Sequence, residues 1–336
     1  MARIIRITFI SIRILIVLGT AVFFIWIFPP PTICPAIETT LETGSWSEAQ
    51  QLPTARSELA AAALNGRIYV AGGLRTTGAT DAFQVYNVAR DTWQEAADLP
   101  RRLHHMGLAA IGSRLFLTGG YEANSLSDPT DEAWVYEPEL DSWSAIAAMP
   151  GPRAAHATAA LDNKLYVVGG VGVGSNFLWY YDPDSDNWET AQTSLPTLRE
   201  HLAAVALKGK LYAIGGRMPD QGNLATVEIF DPARGTWERA ADMPTARGGI
   251  TAAVLDGNIH VAGGEDFSAS PNCTFANHER FDAAKNQWTT LPSLPTPRHG
   301  LSSSVVDGRW FVIGGGEKAA TLTLVSTSDQ VDVYDP

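Results

Sequence analysis

Short runs of apolar residues, separated by polar turns, recur along most of this chain. Between residues 202 and 240 the candidate strands are Leu202–Leu207, Leu211–Ile214, Val227–Phe230 and Thr236–Arg239. Turn residues lie between them, as in the segment Asp231–Gly235, and no ten-residue stretch of the unit has the spacing of an amphipathic helix. The pattern therefore predicts four short β-strands in this segment.

The same unit is repeated six times. Pairs of glycines end one strand of each unit at intervals of 46 to 51 residues, at Gly72-Gly73, Gly119-Gly120, Gly169-Gly170, Gly215-Gly216, Gly263-Gly264 and Gly314-Gly315. Tryptophans recur with the same period, at Trp46, Trp93, Trp143, Trp188, Trp237 and Trp288. Paired glycines allow a close backbone approach or a positive φ, and tryptophan supplies a large apolar surface. A four-stranded repeat of this length predicts sheets packed around an axis.

The order strand, Gly-Gly, aromatic-Asp-Pro and Trp resembles the kelch repeat, and the resemblance covers residues 45–336. It implies an all-β, six-bladed propeller similar to those of exported bacterial kelch proteins. The repeat region opens at Trp46 on a fourth strand and reaches Pro336 just after a third strand. We therefore expect Trp46–Ala49 to complete the sheet that begins at Leu301, which would close the ring. Kelch proteins differ widely in function, so the resemblance implies architecture alone.

The first 28 residues differ from the repeats. Residues 14–28 are apolar and uncharged, and three arginines precede them, Arg3, Arg6 and Arg13. A helix over residues 7–28 would cross a bilayer of about 30 Å if Arg13 reached the interface. Basic residues before the span favour a cytoplasmic N-terminus, and the residues after Phe28 make a poor cleavage site. We predict a signal anchor at 1–28, a tether at 29–44 and a propeller at 45–336 in the periplasm or extracellular space.

Charge and cysteine content exclude other classes of function. The chain has 24 Lys and Arg against 36 Asp and Glu, a net charge of −12, whereas a nucleic-acid binder needs a positive field. Two cysteines are too few for a disulfide scaffold or a four-cysteine metal site. Cys34 and Cys273 could pair in an oxidising compartment, although no pattern in the sequence brings them together. We predict no nucleic-acid partner, no cofactor and no metal.

The loops between blades carry the candidate chemistry. Sixteen residues before each glycine pair stand Arg56, Leu103, Arg153, Arg199, Arg247 and Arg298. A repeated arginine is expected to fix a turn by donating hydrogen bonds to carbonyls. The two positions after it vary between blades, and the kelch resemblance implies that these loops and those after the glycine pairs surround one end of the channel. The candidate ligand-binding residues of this face are Arg56, Glu58, Arg75, His104, His105, Tyr121, Glu122, His156, Glu200, His201, Arg217, Glu265, His299 and Glu317. Two longer loops, Tyr121–Glu132 and Glu265–His278, are candidates for specificity.

Three functions are consistent with this face, and a solvated rim without a function is the remaining alternative. The first is recognition of a protein, peptide or glycan. The second is a sialic-acid-type sugar epimerase or mutarotase, an activity that some exported six-bladed kelch proteins have, with Glu200, His201, Glu58, Arg75 and Arg217 as candidate catalytic residues. The third is a transition metal held by neutral imidazoles. We favour recognition over an enzyme, and expect ligand binding through these histidines to change between about pH 5 and 7.

Overall fold

The computed structural model describes residues 13–18, 21–26, 32–35, 44–218, 221–268 and 272–336. The chain forms two compact units, Met1–Pro31 and Thr32–Pro336. In the first unit the described residues form two antiparallel strands, Arg13–Leu18 and Ala21–Trp26. None of the helices among the described residues is long and apolar enough to cross a membrane. The described residues within 7–28 are those of the two strands and not of the helix predicted there. The other residues of that range lie outside the described ones, and the membrane span stays a prediction.

The described part of the second unit contains six four-stranded antiparallel sheets, which we call blades one to six. Blade one has the strands Ala60–Leu64, Arg67–Ala71, Phe83–Asn87 and Thr92–Glu95. Blade two has Gly107–Ile111, Arg114–Thr118, Ala133–Glu137 and Ser142–Ala145. Blade three has Ala157–Leu161, Lys164–Val168, Trp179–Asp182 and Asn187–Thr190. Blade four has Ala203–Leu207, Lys210–Ile214, Val227–Asp231 and Thr236–Arg239. Blade five has Thr251–Leu255, Asn258–Ala262, His278–Asp282 and Gln287–Leu291.

Blade six closes the ring, as the sequence predicted. Its strands are Ser302–Val306, Arg309–Ile313, Val331–Asp335 and Ser45–Glu48. The last of these comes from the start of the propeller and pairs with Val331–Asp335, with Trp46 opposite Tyr334. The six-bladed kelch propeller predicted from the repeat is therefore confirmed, and its N-terminal strand seals the edge of the final sheet.

The first strand of every blade lies nearest the axis, where each first strand contacts those of both neighbouring blades all the way round. These strands are rich in small residues, as in the sequences AAAAL, ATAAL and SSSVV. Small side chains let six strands converge on one axis without collision. The narrow centre of the propeller therefore follows from composition at these positions.

The glycine pairs join each blade to the next. In blade one, Gly72 and Gly73 have φ of 51° and 101°, in the region that glycine adopts without steric penalty. The Gly73 N–H donates to the Leu103 carbonyl of blade two at 2.8 Å, and a Cβ on Gly72 would collide with the same carbonyl. Both properties expected of the paired glycines, positive φ and close approach, are present.

The repeated arginines are buried inside their own blades rather than facing solvent. Arg56 donates to the carbonyls of Gly72 and Ala82 and to Gln84 Oε1, at 2.9, 3.0 and 2.7 Å. In blades four, five and six the arginine pairs with a carboxylate of the third strand, in the pairs Arg199–Glu228, Arg247–Glu279 and Arg298–Asp332. The arginine position therefore ties the blade-to-blade loop to the interior of the sheet.

Blades two and three use a tryptophan in place of that carboxylate. In blade three the Arg153 guanidinium lies 3.4 Å from the ring centroid of Trp179, a cation–π contact. In blade two the arginine is replaced by Leu103, which is buried in the same apolar cluster as Trp134. The third-strand partner of an arginine is therefore a polar or an aromatic side chain, and the partner of Leu103 is aromatic.

The loops at one end of the propeller carry short additional elements. These are the strand pairs Leu74–Arg75 with Gly78–Ala79, Leu103–His104 with Tyr121–Glu122, Arg153–Ala154 with Val171–Gly172, Arg217–Met218 with Gly222–Asn223, and Glu265–Asp266 with Cys273–Thr274, and the 3-10 helix Ala320–Val325.

A disulfide joins Cys34 to Cys273, across 239 residues of sequence. Residues beside Cys34 also pair with the blade-five loop, because the Cys34 N–H donates to the Thr274 carbonyl at 2.8 Å and the Thr274 N–H to the Thr32 carbonyl at 3.0 Å. The sequence left the state of both cysteines open, and the structure shows that residues 32–35 are fastened to blade five.

Candidate functional site

Six residues form a ring around the channel axis that is closed by hydrogen bonds between their backbone N–H and C=O groups. We call it the axial ring. Its members, one from each blade in order, are Glu58, His105, Ala155, His201, Gly249 and Gly300. Each N–H donates to the carbonyl of the member in the preceding blade, at 2.6 to 3.0 Å, and the Glu58 N–H closes the ring on Gly300. The N–H and the C=O of each member are hydrogen-bonded within the ring. The side chains are therefore not needed to satisfy the backbone.

All six members of the axial ring have left-handed backbone, with φ between 51° and 67°. Glycine adopts this region without penalty, and it stands there in blades five and six. Other L-residues pay roughly 1–2 kcal/mol for it. Glu58, His105 and His201 nevertheless occupy the position, and a Cβ at Gly300 would collide with the Glu58 carboxylate. Residues held in unfavourable backbone regions are concentrated at functional sites.

A cavity of about 700 Å³ lies over the axial ring, a volume typical of sites for small ligands. Its lining residues are Glu58, Leu74, Thr76, Thr77, Gly78, His104, His105, Tyr121, Asn124, Leu126, His201, Arg217, Glu265, Phe267, His299, Ala320, Thr323 and Leu324. We call this cavity the axial pocket. Its floor is charged, whereas the loops at its mouth include the exposed apolar side chains of Leu126, Phe267 and Leu324.

A network of ion pairs crosses the floor of the axial pocket. The Arg217 Nε donates to Glu200 Oε1 at 2.6 Å, and its Nη1 to Glu265 Oε1 at 2.7 Å. Glu265 Oε2 lies 3.1 Å from His299 Nδ1, and Glu58 Oε1 lies 3.6 Å from the same nitrogen. Arg217 also stacks on the Phe267 ring, 4.0 Å from its centroid. Blades one, four, five and six are therefore coupled through charges at the axis.

The charges of this network set the ionisation of its members. Burial alone would raise the pKa of Glu265, but His299 and Arg217 outweigh burial and lower it to about 2. Burial opposes protonation of His299, yet Glu265 and then Glu58 raise its pKa above the ordinary value. Burial raises the pKa of Glu58. Glu265 is therefore ionised at neutral pH, and its charge favours the protonated form of His299.

The other histidines of the face behave differently. Burial lowers the pKa of His104 and of His105 to about 3, and Arg217 also lowers that of His105. Burial also lowers the pKa of His201 well below its ordinary value. These imidazoles are neutral throughout pH 5 to 7, so they do not supply the pH dependence expected from the sequence. His299, whose pKa is raised, is the histidine of the floor that could.

Eight of the predicted ligand-binding residues line the axial pocket: Glu58, His104, His105, Tyr121, His201, Arg217, Glu265 and His299. Glu200 lies behind the floor, where its carboxylate contacts His201 Nδ1 and Arg217. The other five lie outside the lining. Arg56 is buried in blade one, Glu122 pairs with Arg101 on the exposed surface, and His156 faces Thr118 below the ring. Arg75 and Glu317 belong to flanking loops and do not line the pocket.

Several lining residues were missed by the sequence analysis. Thr76, Thr77 and Asn124 lie in loops whose composition carries no distinctive signal. Thr323, in the 3-10 helix of blade six, has its hydroxyl 2.6 Å from His299 Nε2, and the Ala320 N–H donates to Glu265 Oε2 at 3.0 Å. The described residues of the equivalent loops in the other blades contain no helix, so the repeat could not predict this one.

Three side chains on the axial ring could together hold a metal ion. One ligand atom each from Glu58, His105 and His201 lies within 4.8 Å of the other two. Two imidazoles and one carboxylate form a donor set that first-row transition metals accept. The sequence predicted no metal, because it did not show that residues from blades one, two and four converge.

Six blades around an axial pocket with a charged floor define a β-propeller with a ligand-sized site. A family model described as the KLHDC2/KLHL20/DRC7 Kelch-repeats domain matches residues 36–170 and 155–334. The chain therefore belongs to the kelch-repeat family.

Individual relatives match parts of the chain. It is similar to Kelch-like protein terF of Aspergillus terreus, 34% identical over 158 residues, which cover 46% of this chain and 34% of that protein. Kelch-like protein 23 of Homo sapiens is 30% identical over 159 residues, covering 47% of this chain and 26% of that protein. The chain thus matches about a quarter to a third of these curated relatives. The solved "Structure of YjhT" has a TM-score of 0.72 at 20% identity, covering 85% of this chain and 97% of that one, which supports the fold alone.

Proposed function

We propose that this protein is a membrane-anchored, extracytoplasmic binding module, which recognises a protein, peptide or glycan by taking a polar group of it into the axial pocket. The observation that carries the proposal is a cavity of about 700 Å³ whose floor holds Arg217, Glu265 and His299. Kelch propellers are typically protein-binding modules. The axial pocket lies at the end of the propeller where the loop residues differ from blade to blade.

The composition of the pocket supports a partner with both polar and apolar parts. Arg217 is 12% exposed at its side chain and already pairs with two carboxylates, so it is held in one orientation before a ligand arrives. Phe267 and Leu126 at the mouth are 44% and 67% exposed. A fixed charged floor gives directional specificity, while apolar groups at the rim contribute buried area on binding.

The disulfide supports the extracytoplasmic location. Disulfides persist in oxidising compartments and are rare in the cytosol, and Cys34–Cys273 fastens the described segment before the propeller to blade five. Three arginines ahead of the apolar residues 14–28 favour an N-terminus in the cytoplasm, with the remainder of the chain on the other side of the membrane. Both arguments favour the extracytoplasmic side of the membrane for the axial pocket.

An unbiased screen of the full-length protein tests the proposal. The probes are an immobilised oligosaccharide array and a phage-displayed random peptide library. For any captured probe, Phe267→Ala and Arg217→Met are expected to weaken binding at least 10-fold. The matched control is Arg114→Met, since Arg114 lies over Phe116 at 5.3 Å in the second strand of blade two, outside the pocket. Absence of any captured probe, or equal binding by all three variants, would contradict the proposal.

A second candidate is the sugar epimerase or mutarotase. It is favoured by the contact of Glu200 with both His201 and Arg217, since a carboxylate beside an imidazole can exchange protons with a substrate. Of the catalytic pairs considered from the sequence, Glu200 and His201 are in direct contact, with His201 lining the axial pocket and Glu200 behind its floor. Proton NMR of sialic acid or a hexose with the full-length protein separates the two functions. Accelerated interconversion that Glu200→Gln abolishes would support the enzyme, and none above the buffer rate would remove it.

A further inference from the structure

We propose that the axial ring binds one divalent first-row transition ion, with Glu58, His105 and His201 as its protein ligands. His105 Nε2 lies 3.3 Å from Glu58 Oε2. A tetrahedral ion with bonds of about 2.0–2.1 Å holds its ligand atoms about 3.3 Å apart. The ligand atoms of all three residues lie within 4.8 Å of one another, so small side-chain rotations complete the set.

Each imidazole is held from behind by a second polar group. His201 Nδ1 contacts the Glu200 carboxylate, which Arg217 holds through a 2.6 Å hydrogen bond. Because a carboxylate accepts, Nδ1 of His201 carries the proton and Nε2 keeps its lone pair. His105 Nδ1 lies 2.5 Å from His104 Nδ1, which leaves its Nε2 toward Glu58. Partners of this kind fix the orientation of histidines that bind metals.

The three ligand side chains stand at positions of the axial ring where the fold does not require a side chain. Gly249 and Gly300 hold the same ring position and the same left-handed backbone in blades five and six, and Ala155 does so in blade three. The fold therefore accepts a residue without a functional group there. Glu58, His105 and His201 carry the backbone penalty of that region while aiming ligand atoms at one point on a rigid ring.

The donor set also selects the kind of ion. Mg²⁺ and Ca²⁺ prefer oxygen ligands throughout, whereas two imidazoles with one carboxylate suit Zn²⁺, Fe²⁺, Co²⁺ or Ni²⁺. The nearby carboxylate Glu265 is already paired with Arg217 and His299. Three protein ligands leave coordination positions open, and all three residues line the axial pocket. The ion would therefore contact whatever occupies the pocket, and its binding does not depend on that occupant.

Metal titration of the untagged, full-length protein tests this inference. After removal of metal by chelation, Zn²⁺ binding is measured by calorimetry, and Co²⁺ binding by its visible absorption, which reports the coordination number of the ion. We expect one ion per chain, and affinity lower by about 100-fold or more in Glu58→Gln, His105→Ala and His201→Ala. Mg²⁺ at the same concentration is expected not to compete.

The matched control is His156→Gln, which removes an imidazole from the other side of the ring, where His156 Nε2 faces Thr118. It is expected to bind Zn²⁺ as the unmodified protein does. Alanine already stands at position 155, so the alanine variants have a natural counterpart, and circular dichroism checks their fold. No ion bound by the unmodified protein, or equal affinity in the three ligand variants and the control, would overturn the inference. Phe267→Ala is expected to keep the ion, which separates this test from that of partner binding.

Discussion

The arginine position and the axial ring lie two residues apart in the same loop, yet they differ in every physical respect. Arg247, at the arginine position of blade five, is fully buried, and its two Nη atoms donate to Glu279 and to two carbonyls of its own blade. Gly249, two residues later, is one member of a ring whose side chains range from none to imidazole. The first position is arginine in five of the six blades because its side chain ties the loop to the interior of the sheet. The second position varies because the ring uses only its backbone groups.

The largest effect is expected at the arginine position. Arg247→Leu leaves the Glu279 carboxylate buried without its cation, and losing one partner of a buried pair destabilises by about 3–5 kcal/mol. The free energy of unfolding, from urea denaturation followed by circular dichroism, checks this. The double variant Arg247→Leu/Glu279→Trp reproduces the Leu103–Trp134 pair of blade two and is expected to recover at least half of the loss. A single variant that costs under about 1 kcal/mol would show that the pair does not hold the blade.

A repeated position on the outer rim is expected to give a smaller effect. The Trp188 indole N–H donates to the Ala147 carbonyl of the preceding blade at 2.7 Å. Among the described residues the Trp237 indole N–H has no acceptor, because at that junction Thr193 donates to the Gly235 carbonyl instead. The loss of volume is the same in Trp188→Phe and Trp237→Phe, so their difference isolates the hydrogen bond. We expect Trp188→Phe to be less stable by about 1 kcal/mol, measured by the same denaturation, and equal losses would contradict this.

The repeat made the fold predictable from sequence. Periodic glycines and tryptophans predicted six blades, and the phase of the repeat predicted the pairing of Trp46 with Tyr334. The second residue after the arginine position nominated Glu58, His105 and His201, and the kelch resemblance implied that their loops share one face of the propeller. The approach of their ligand atoms to within 4.8 Å could not be predicted, because it depends on how the ring of blades curves around the axis. Arg217 and Glu265 each follow a glycine pair, but a repeat does not show which side chains of neighbouring blades will form an ion pair. Cys34 lies outside the repeat, so its disulfide with Cys273 had no periodic signal.

The smallest effect on stability is expected at the axial ring. A substitution there distinguishes the axial-ring position most clearly from the arginine position. Glu58→Gly removes a backbone penalty of roughly 1–2 kcal/mol, partly offset by about 0.5–1 kcal/mol of extra chain entropy in the unfolded state. Burial raises the pKa of Glu58, which means that the folded state disfavours its charge at neutral pH, so removal of the carboxylate adds no loss. We expect the metal-free variant to be as stable as the unmodified protein or more stable by up to about 1 kcal/mol.

Ala155→Gly is the matched control, because it relieves the same left-handed backbone, at φ of 51°, without removing a charge. The difference between the two variants in urea unfolding therefore measures the Glu58 side chain beyond its Cβ. A loss above about 2 kcal/mol in Glu58→Gly, with none in Ala155→Gly, would show that Glu58 supports the fold as the arginines do. Unchanged stability together with lost Zn²⁺ binding would mean that the ring holds this side chain for a ligand, at a position where the propeller itself requires no more than glycine.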